Sequence, residues 1–266
     1  MTSAPRETPL AAVGLRIDVD GDGDGGGDLF ALPAGHLDER VRAHKLVVLR
    51  GFGALSPDQF LAFARAFQPG GSRLLEWPTG PIMDVAVDDA AVNYLFSREP
   101  VPLHWDGFFA REPSYLLWQC AVAPRAGGAT IFTDAGKAWD LADHEQRARW
   151  RRTELTYATE KRAHYGGVAT RPLVEPHPLT RCMTLRFAEP VATSLNPLSV
   201  TCAALSGAEL AALVADLQSC LHDPRVCHHH DWQDGDLVIA DNRALLHGRT
   251  AITDGGRRHL RRIQIL

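Results

Sequence analysis

The chain has 266 residues, 45% hydrophobic and 23% charged, which is the composition of an ordinary globular protein with a large core. Its formal net charge of −4 gives no electrostatic reason to expect a nucleic acid or an anionic membrane surface as partner. No apolar run is long enough to span a membrane, and residues 1–9 lack the apolar core of a signal peptide. The five cysteines show no C-x-x-C spacing, so neither a disulfide framework nor a zinc site is indicated. We therefore expect a cytoplasmic protein of one or two domains, with homo-oligomerisation left open.

Alternating Asp and Gly between residues 18 and 28 resemble the start of a calcium-binding loop. The twelfth position, which requires a bidentate Glu, is Leu29, and no helix pattern precedes the run. We therefore predict a flexible acidic surface loop for residues 18–28.

The next part of the chain predicts two helices and three short strands. Residues 36–45 predict a short helix, and residues 45–52 (K-L-V-V-L-R-G-F) predict a buried strand. A second helix begins at Ser56, which is followed by Pro at the first helical position and Gln at the third. Residues 82–87 and 93–96 predict two more strands.

Downstream of residue 113 the pattern is mostly that of strands. Extended runs are predicted at 114–122, 127–134, 181–187 and 235–242, and helices at 140–152 and from a capping box at Ser206 to Leu221. Several strands, two or three covering helices and no internal repeat predict a mainly β fold, a barrel or sandwich with flanking helices.

Three consecutive histidines, His228–His230, invite assignment as a metal site. Adjacent residues on a strand point to opposite faces, so the three cannot easily share one ion. We predict a solvated edge strand for them.

Residues 103–109 (L-H-W-D-G-F-F) place an imidazole and a carboxylate two positions apart. On extended backbone His104 and Asp106 point to the same side, because side chains alternate along a strand. Two histidines and one carboxylate on one face of an octahedron are the ligand set that holds Fe(II) with open positions. The best candidate for the third ligand is His247, in the segment D-N-R-A-L-L-H-G-R-T at 241–250. Alone, an H-x-D pair is a weak signal.

The C-terminal stretch is dense in arginine, with Arg249, Arg257, Arg258, Arg261 and Arg262. One interpretation is a strand with a solvated basic face. The other is that one arginine reaches inward to clamp a dicarboxylate, since its planar guanidinium binds carboxylates in a bidentate manner. Spacing alone does not choose the arginine.

Several segments, taken together, resemble a known family: H-W-D at 104–106, G-G-A-T-I-F-T-D at 127–134, H-P-L-T-R at 177–181, G-D-L-V-I-A-D-N-R-A-L-L-H-G-R-T at 235–250 and R-R-H-L-R-R-I at 257–263. They look like the TauD/TfdA taurine-dioxygenase-like Fe(II)/2-oxoglutarate oxygenases, in order from about residue 46 to the C terminus. The resemblance implies a single domain over residues 1–266 that acts on a small molecule. The implied fold is a double-stranded β-helix, or distorted jelly roll, which agrees with the strand-rich pattern.

The resemblance also implies roles for individual residues. It makes His104, Asp106 and His247 the iron ligands. The Thr after the double Gly, which binds 2-oxoglutarate in the family, is Thr130, although a Thr in a strand is usually only a β-branched filler. The family arginine that pairs with the distal carboxylate of 2-oxoglutarate is Arg258.

The implied activity is hydroxylation or desaturation of an unactivated C–H bond, with Fe(II), 2-oxoglutarate and O2. Halogenases of the wider group replace the ligand carboxylate with a small residue, so Asp106 argues against halogenation. The stretch N-Y-L-F-S at 93–97 also resembles the PvcB-type branch, which modifies isonitrile derivatives of aromatic amino acids in natural-product biosynthesis. The alternatives are a non-enzymatic jelly-roll metal-binding sensor, which would not need Thr130 and Arg258, and a zinc hydrolase, which would need a base beside the bound water.

The resemblance places a second arginine, Arg262, on the substrate side of the iron. Leaving a permanent charge unpaired in a closed site is costly, so we expect an anionic substrate, most simply the carboxylate of an amino-acid-derived small molecule. Phe108 and Phe109 follow the ligand pair, and we expect Phe108 to place its ring against the apolar part of the substrate; the alternative is that both rings are core.

Overall fold

The computed structural model describes residues 5–19, 27–32, 35–162 and 165–266. Within these ranges the chain is mainly β, with sixteen strands and five α-helices. The strands are β1 (Arg6–Pro9), β2 (Leu15–Asp18), β3 (Leu46–Arg50), β4 (Met83–Ala86), β5 (Val101–His104), β6 (Tyr115–Val122), β7 (Thr130–Asp134), β8 (Glu154–Arg162), β9 (Tyr165–Pro172), β10 (Val174–Pro176), β11 (Met183–Leu185), β12 (Ser199–Thr201), β13 (Cys227–His230), β14 (Leu237–Asp241), β15 (Leu245–Arg249) and β16 (His259–Ile265). The helices are α1 (His36–His44), α2 (Pro57–Ala66), α3 (Ala135–Leu141), α4 (His144–Trp150) and α5 (Gly207–Leu221).

Two sheets form the frame of the molecule. The larger has seven strands in the order β1-β2-β3-β14-β6-β16-β4, and the smaller has four in the order β13-β7-β15-β5. All neighbouring strands of both sheets are antiparallel except β2 and β3. A three-stranded sheet, β12-β8-β9, and the pair β10-β11 complete the described strands. Strands that are distant in sequence, such as β5 and β15, therefore become neighbours in space.

The side chains of β6 show how the seven-stranded sheet divides the core. Leu116 and Trp118 pack in one cluster with Phe132 of the four-stranded sheet. Tyr115 and Leu117 point the other way, into a cluster with the buried sides of α1 and α2. This alternation is the two-residue period of a strand. A third cluster, which includes α3, α4 and α5, covers the other face of the four-stranded sheet.

Helices α1, α2 and α5 confirm the corresponding sequence predictions. The Ser56 hydroxyl accepts a hydrogen bond from the backbone N–H of Gln59, and the Gln59 side chain accepts one from the N–H of Ser56, so α2 begins with a full capping box. Ser206 and Glu209 make the same arrangement at the start of α5. These starts were predictable because capping depends on residues three apart in sequence.

Two predicted elements are wrong. The single helix predicted at 140–152 is two helices, because Asp143 accepts a hydrogen bond from the N–H of Gln146 and starts α4 anew. The strand predicted at 93–96 is a 3-10 turn, Tyr94–Phe96. There the Asn93 side chain accepts a hydrogen bond from the N–H of Leu95, a local bond that competes with extended structure.

The predicted loop at 18–28 is ordered at both ends, which corrects its boundaries. Asp18 is the last residue of β2 and pairs with Arg16 at 2.9 Å. Asp28 accepts a hydrogen bond from the N–H of Phe30 and caps the 3-10 turn Leu29–Ala31. Residues 20–26 lie outside the described residues.

The three histidines lie on β13, at the edge of the four-stranded sheet as predicted. The prediction that they are solvated holds for His229 but is wrong for His230, which is buried with its Nε2 atom 3.2 Å from Asp236. Alternate residues of an edge strand still face the interior. In the described part of the chain no helix is long and apolar enough to cross a membrane, and all five cysteines are free thiols.

Candidate active site

The three predicted iron ligands meet in the space between the two sheets. His104 ends β5 directly opposite His247 on β15, and the two ring centroids are 4.3 Å apart. The Oδ1 atom of Asp106 lies 3.7 Å from His104 Nε2 and 3.8 Å from His247 Nε2. One ligating atom from each of the three residues lies within 4.8 Å of the other two. Antiparallel pairing of β5 with β15 thus assembles the two-histidine, one-carboxylate set.

The protonation states of these side chains suit a divalent cation. His104 Nδ1 donates to the carbonyl of Pro102 at 2.9 Å, because a carbonyl only accepts, and this leaves Nε2 with its lone pair toward Asp106. Burial lowers the pKa of His104, and it lowers the pKa of His247 well below the ordinary value. Both rings are therefore neutral, so a metal binds them without first displacing protons.

The second carboxylate oxygen of Asp106 is held by strand β16. Arg262 Nη1 lies 2.9 Å from Oδ2, and Gln264 Nε2 also donates to it. Burial by itself raises the pKa of Asp106, but the charge of Arg262, with the hydrogen bond from Gln264, lowers it below the ordinary value. The carboxylate is therefore ionised, with one oxygen toward the histidines and the other anchored.

Strand alternation on β16 decides which C-terminal arginines face the site. Leu260 packs in the cluster between the two sheets, whereas Ile263 and Ile265 pack toward the helices. Arg258 and Arg262 share the inward parity of Leu260, as does Gln264. Strand alternation along R-R-H-L-R-R-I-Q would have predicted that these two arginines face the site. It would also have predicted Gln264, which was not identified from the sequence.

The backbone of Asp106 is clamped by Asn242, which the sequence analysis also missed as a site residue. The Asn242 Oδ1 atom accepts a hydrogen bond from the N–H of Asp106 at 2.9 Å. Its Nδ2 atom donates to the carbonyls of Asp106 at 3.1 Å and Pro113 at 2.9 Å. Asn242 is buried in the turn between β14 and β15. The turn that precedes His247 therefore also positions Asp106.

The chain leaves the ligand pair through a turn that requires glycine. Gly107 has a φ of 92°, and a Cβ atom there would lie 2.5 Å from the Cα of Glu112. Arg171 then donates two hydrogen bonds to the carbonyl of Phe108, at 3.0 and 2.9 Å. Arg186 lies over the Trp105 ring at 4.7 Å and pairs with Glu112. The segment that carries Asp106 is thus fixed on both sides.

The predicted 2-oxoglutarate residues line a small cavity of about 50 Å³ beside the histidines. Arg258 Nε donates to the carbonyl of Gly128 at 3.1 Å, and its Nη2 lies 3.4 Å from Thr130 Oγ1. Gly128 allows this close packing, since a Cβ there would lie 3.2 Å from the Cδ atom of Arg258. Burial, with a smaller contribution from the charge of the nearby Arg249, lowers the pKa of Arg258 to about 9.

Arg249, two residues after His247, joins the ligand strand to the segment 94–99. Its guanidinium donates to the carbonyls of four residues, Tyr94 at 3.3 Å, Leu95 at 2.9 Å, Ser97 at 2.7 Å and Glu99 at 2.6 Å. The residue is buried, which lowers its pKa to about 10. Four carbonyls hold this cation, and they fasten one wall of the neighbouring cavity to β15.

A larger cavity of about 640 Å³ opens onto His104, Asp106 and Arg262. Most of its remaining lining is apolar or aromatic, including Leu75, Trp77, Met83, Leu95, Phe96 and Phe109. Phe108 lies in the core instead, 1% exposed and packed on Trp105 and Tyr157. The prediction for Phe108 is therefore corrected: Phe109 is the ring on the cavity wall.

The premise that Arg262 lacks a partner is also corrected. Its guanidinium borders both cavities, but it pairs with Asp106 and contacts the Met83 sulfur at 3.2 Å. Arg262 by itself therefore does not require a substrate anion, and only an excess of positive charge in the site as a whole would favour one.

Comparison with known proteins agrees with this geometry. The family model described as "Taurine catabolism dioxygenase TauD, TfdA family" matches residues 14–264. The chain is 40% identical over 245 residues to a 3-((Z)-2-isocyanoethenyl)-1H-indole synthase of Fischerella ambigua, covering 90% of this chain and 88% of that one. It is 36% identical over 241 residues to a tyrosine isonitrile desaturase of Pseudomonas aeruginosa, covering 88% and 81%.

A crystal structure of PvcB from Pseudomonas aeruginosa superposes with a TM-score of 0.80 at 32% identity, covering 98% of this chain and 91% of that one. PvcB is described as an Fe, alpha-ketoglutarate dependent oxygenase from an isonitrile synthetic pathway. These matches exclude the non-enzymatic and zinc-hydrolase alternatives. The chain is a member of the TauD/TfdA family, an enzyme of the Fe(II)- and 2-oxoglutarate-dependent oxygenases.

Proposed function

We propose that this oxygenase desaturates the side chain of an isonitrile derivative of an aromatic amino acid. The observation that carries the proposal is the large cavity, which is mostly apolar, has aromatic walls and opens directly onto the ligand group. Such a cavity suits an aromatic ring, and the few polar groups on its wall suit the orientation of a small polar end. The isonitrile is proposed from the names of the relatives described above.

The residues present fit iron and 2-oxoglutarate. His104, Asp106 and His247 would hold Fe(II), for which two imidazoles and one carboxylate are a suitable set. Bound iron, with 2-oxoglutarate and O2, would supply the oxidising power that removes hydrogen from a substrate C–H bond. Arg258 and Thr130 would bind the distal carboxylate of 2-oxoglutarate, since no carboxylate of the described residues forms an ion pair with Arg258.

The charge of the site favours an anionic substrate. Four arginines line the two cavities, Arg111, Arg249, Arg258 and Arg262, against three carboxylates, Glu76, Asp88 and Asp106, which leaves one net positive charge. A divalent metal and the 2-oxoglutarate dianion cancel each other, so this group of side chains remains positive. A substrate carboxylate near Arg262 would reduce that excess in a partly dry site, where uncompensated charge is costly.

The proposed reaction balances with one O2. Removal of two hydrogens from adjacent substrate carbons forms the double bond and supplies two electrons. Conversion of 2-oxoglutarate into succinate and CO2 supplies two more and takes up one oxygen atom, and the other oxygen leaves as water. If the substrate carboxylate is lost as CO2 when the double bond forms, the electron count is unchanged, and the product carries an isocyanoethenyl group.

The test is turnover of a substrate panel by the purified protein with Fe(II), 2-oxoglutarate and O2. The panel contains the isonitrile derivatives of tyrosine and tryptophan, their parent amino acids and the methyl esters of the isonitriles. We expect succinate formation to depend on an isonitrile acid, with a product that has lost either two hydrogens or one hydrogen and the carboxyl group. Succinate formation at equal rates with the parent amino acids would refute the isonitrile assignment.

The ester arm tests the charge argument separately. The acid should be turned over at least about tenfold more efficiently than its methyl ester, an effect of about 1.4 kcal/mol. Arg262→Leu should reduce this difference in efficiency between the acid and its methyl ester. Equal efficiency for acid and ester would refute the anionic substrate and leave the iron site untouched. Asp106→Ala is the inactive control.

We also infer that the two opposed sheets form the double-stranded β-helix of the family. Four antiparallel strands, β13-β7-β15-β5, face the antiparallel strands β3, β14, β6 and β16 across the cluster between the sheets. The single-domain assignment, the cytoplasmic location, the absence of nucleic-acid and membrane partners and any homo-oligomer remain predictions from the sequence.

A further inference from the structure

The Thr130 hydroxyl lies in the proposed 2-oxoglutarate site, on which this inference rests, and its hydrogen bonds determine the direction of its hydrogen. Thr130 Oγ1 lies close to two N–H donors, Trp232 Nε1 at 2.9 Å and Arg258 Nη2 at 3.4 Å. All three residues are at least nine-tenths buried. No motif in the sequence indicated a role for Trp232.

Because two donors already bind the hydroxyl oxygen, the hydroxyl can only act as a donor toward any further group. A threonine hydroxyl has two acceptor lone pairs and one hydrogen, an indole N–H only donates, and a guanidinium only donates. With both lone pairs engaged, the hydrogen must be donated elsewhere. Thr130 donates to no other residue in the described part of the chain. The remaining direction is into the small cavity that Thr130 lines with the two metal-binding histidines.

Trp232 is itself held in place by a buried ionic group. Its ring packs edge-on against His230 with centroids 4.5 Å apart, and His230 lies opposite Thr130 in the register of β13 with β7. His230 Nε2 is 3.2 Å from Asp236, and the Asp236 carboxylate accepts hydrogen bonds from Arg50 at 2.8 and 2.7 Å. The indole N–H therefore has a defined direction before any ligand binds.

We propose that Trp232 is a positioning residue for the co-substrate, which it serves by making the Thr130 hydroxyl a hydrogen-bond donor. A carboxylate only accepts hydrogen bonds, so it matches a hydroxyl whose hydrogen points into the cavity. Hydrogen bonds in series also polarise one another, which strengthens the last bond of the chain. Trp232 acts through Thr130 and need not touch 2-oxoglutarate.

The first test is Trp232→Phe, which keeps an aromatic ring and removes the N–H. We expect the Kd for 2-oxoglutarate to rise about three- to tenfold, the effect of one neutral hydrogen bond. Calorimetric titration of the Mn(II)-loaded protein measures this without turnover. In the turnover assay KM for 2-oxoglutarate should rise while kcat changes little. An unchanged Kd would overturn the proposal.

The matched control is Trp150→Phe. Trp150 is fully buried in the cluster on the far side of the four-stranded sheet, and its Nε1 has no hydrogen-bond partner among the described residues. The control variant loses the same atoms in a core position without losing a hydrogen bond. It should bind 2-oxoglutarate as the wild type does, and an equal loss of affinity in both variants would overturn the proposal.

The second test asks whether Trp232 works through Thr130. In a Thr130→Val background Trp232→Phe should cause no further loss of 2-oxoglutarate affinity, whereas in a Thr130→Ser background it should still do so. If Trp232→Phe raises the Kd for 2-oxoglutarate by the same factor in the Thr130→Val background as in the wild type, the proposal is overturned.

A third measurement does not depend on the folding of Trp232→Phe. The indole N–H resonance that moves on addition of 2-oxoglutarate to the wild type should shift upfield in Thr130→Val, and no shift would overturn the proposal. If the Mn(II)-loaded wild type fails to bind 2-oxoglutarate at all, the proposed function fails and this inference fails with it. If the wild type binds and Trp232→Phe binds equally well, only this inference fails.

Discussion

Asn242→Ala tests whether the turn before His247 also positions Asp106. The amide of Asn242 accepts from the N–H of Asp106 and donates to the carbonyls of Asp106 and Pro113. The exchange for alanine leaves these three backbone groups without their partner in a site where Asn242 is 2% exposed. Neither a metal ligand nor a cavity wall is removed by this change.

The structure sets the size of the expected effect. An unsatisfied buried polar group costs about 1–3 kcal/mol, and three neighbouring groups that relax together should cost about 3–5 kcal/mol in free energy of unfolding. For a chain of this length that corresponds to a fall in Tm of roughly 6–20 °C. Groups that orient a metal ligand typically change metal affinity by about 10–100-fold, so we expect at least a tenfold weaker Mn(II) affinity.

Thermal unfolding by circular dichroism and calorimetric titration with Mn(II) measure the two effects. Gln119→Ala is the matched control, because Gln119 is likewise a buried amide whose side chain donates to a backbone carbonyl, that of Leu55 at 3.0 Å. It lies on β6, with its side chain on the face of the sheet away from the ligands. It should lower Tm and leave Mn(II) affinity unchanged. The reasoning is refuted if Asn242→Ala binds Mn(II) as tightly as the wild type, or if Gln119→Ala loses as much metal affinity.

Four further predictions concern the ligand group and its surroundings. Replacing any one of the proposed iron ligands His104, Asp106 and His247 by alanine should abolish 2-oxoglutarate turnover with the circular dichroism spectrum retained; near-normal succinate formation by a variant would remove its residue from the site. Arg258→Leu should weaken 2-oxoglutarate binding by about 2–5 kcal/mol, and unchanged binding would remove Arg258 from the site. Arg249→Met frees the carbonyls of the segment 94–99, so KM for the organic substrate should rise about fivefold or more, with faster proteolysis of that segment; an unchanged KM would argue against its role in the cavity wall. The hydrogen bond to Glu189 raises the pKa of His222, so the stability that His222 contributes is fully present below its unfolded pKa of about 6.5 and is lost as pH rises through the higher folded value. The difference in unfolding free energy between wild type and His222→Gln should therefore be larger at acid than at alkaline pH, and a difference that grew with pH would contradict the assignment.

The sequence by itself determined the features that depend on short spacings. The capping boxes at Ser56 and Ser206 join residues three apart, and both helices start where predicted. His104 and Asp106 are two apart, and their pairing with His247 was inferred from motifs that occur in family order, which the structure assembles as expected. These predictions succeeded because the chemistry of each motif is encoded within a few residues.

The tertiary structure alone decided which side chains complete the site. Asn242 and Asp106 are 136 residues apart in sequence, and Trp232 and Thr130 are 102 apart, so no local sequence pattern could predict either contact. The pairing of Arg262 with Asp106 depends on β16 facing β5 across the core. From the sequence alone Arg262 was expected to lack a partner, and Asp106 is that partner. Phe108 and Phe109 are adjacent and chemically identical, and only the packing of Phe108 on Trp105 leaves Phe109 for the cavity. Spacing in sequence specifies which residue types are available, whereas strand pairing and the packing of one sheet on the other specify which of them meet.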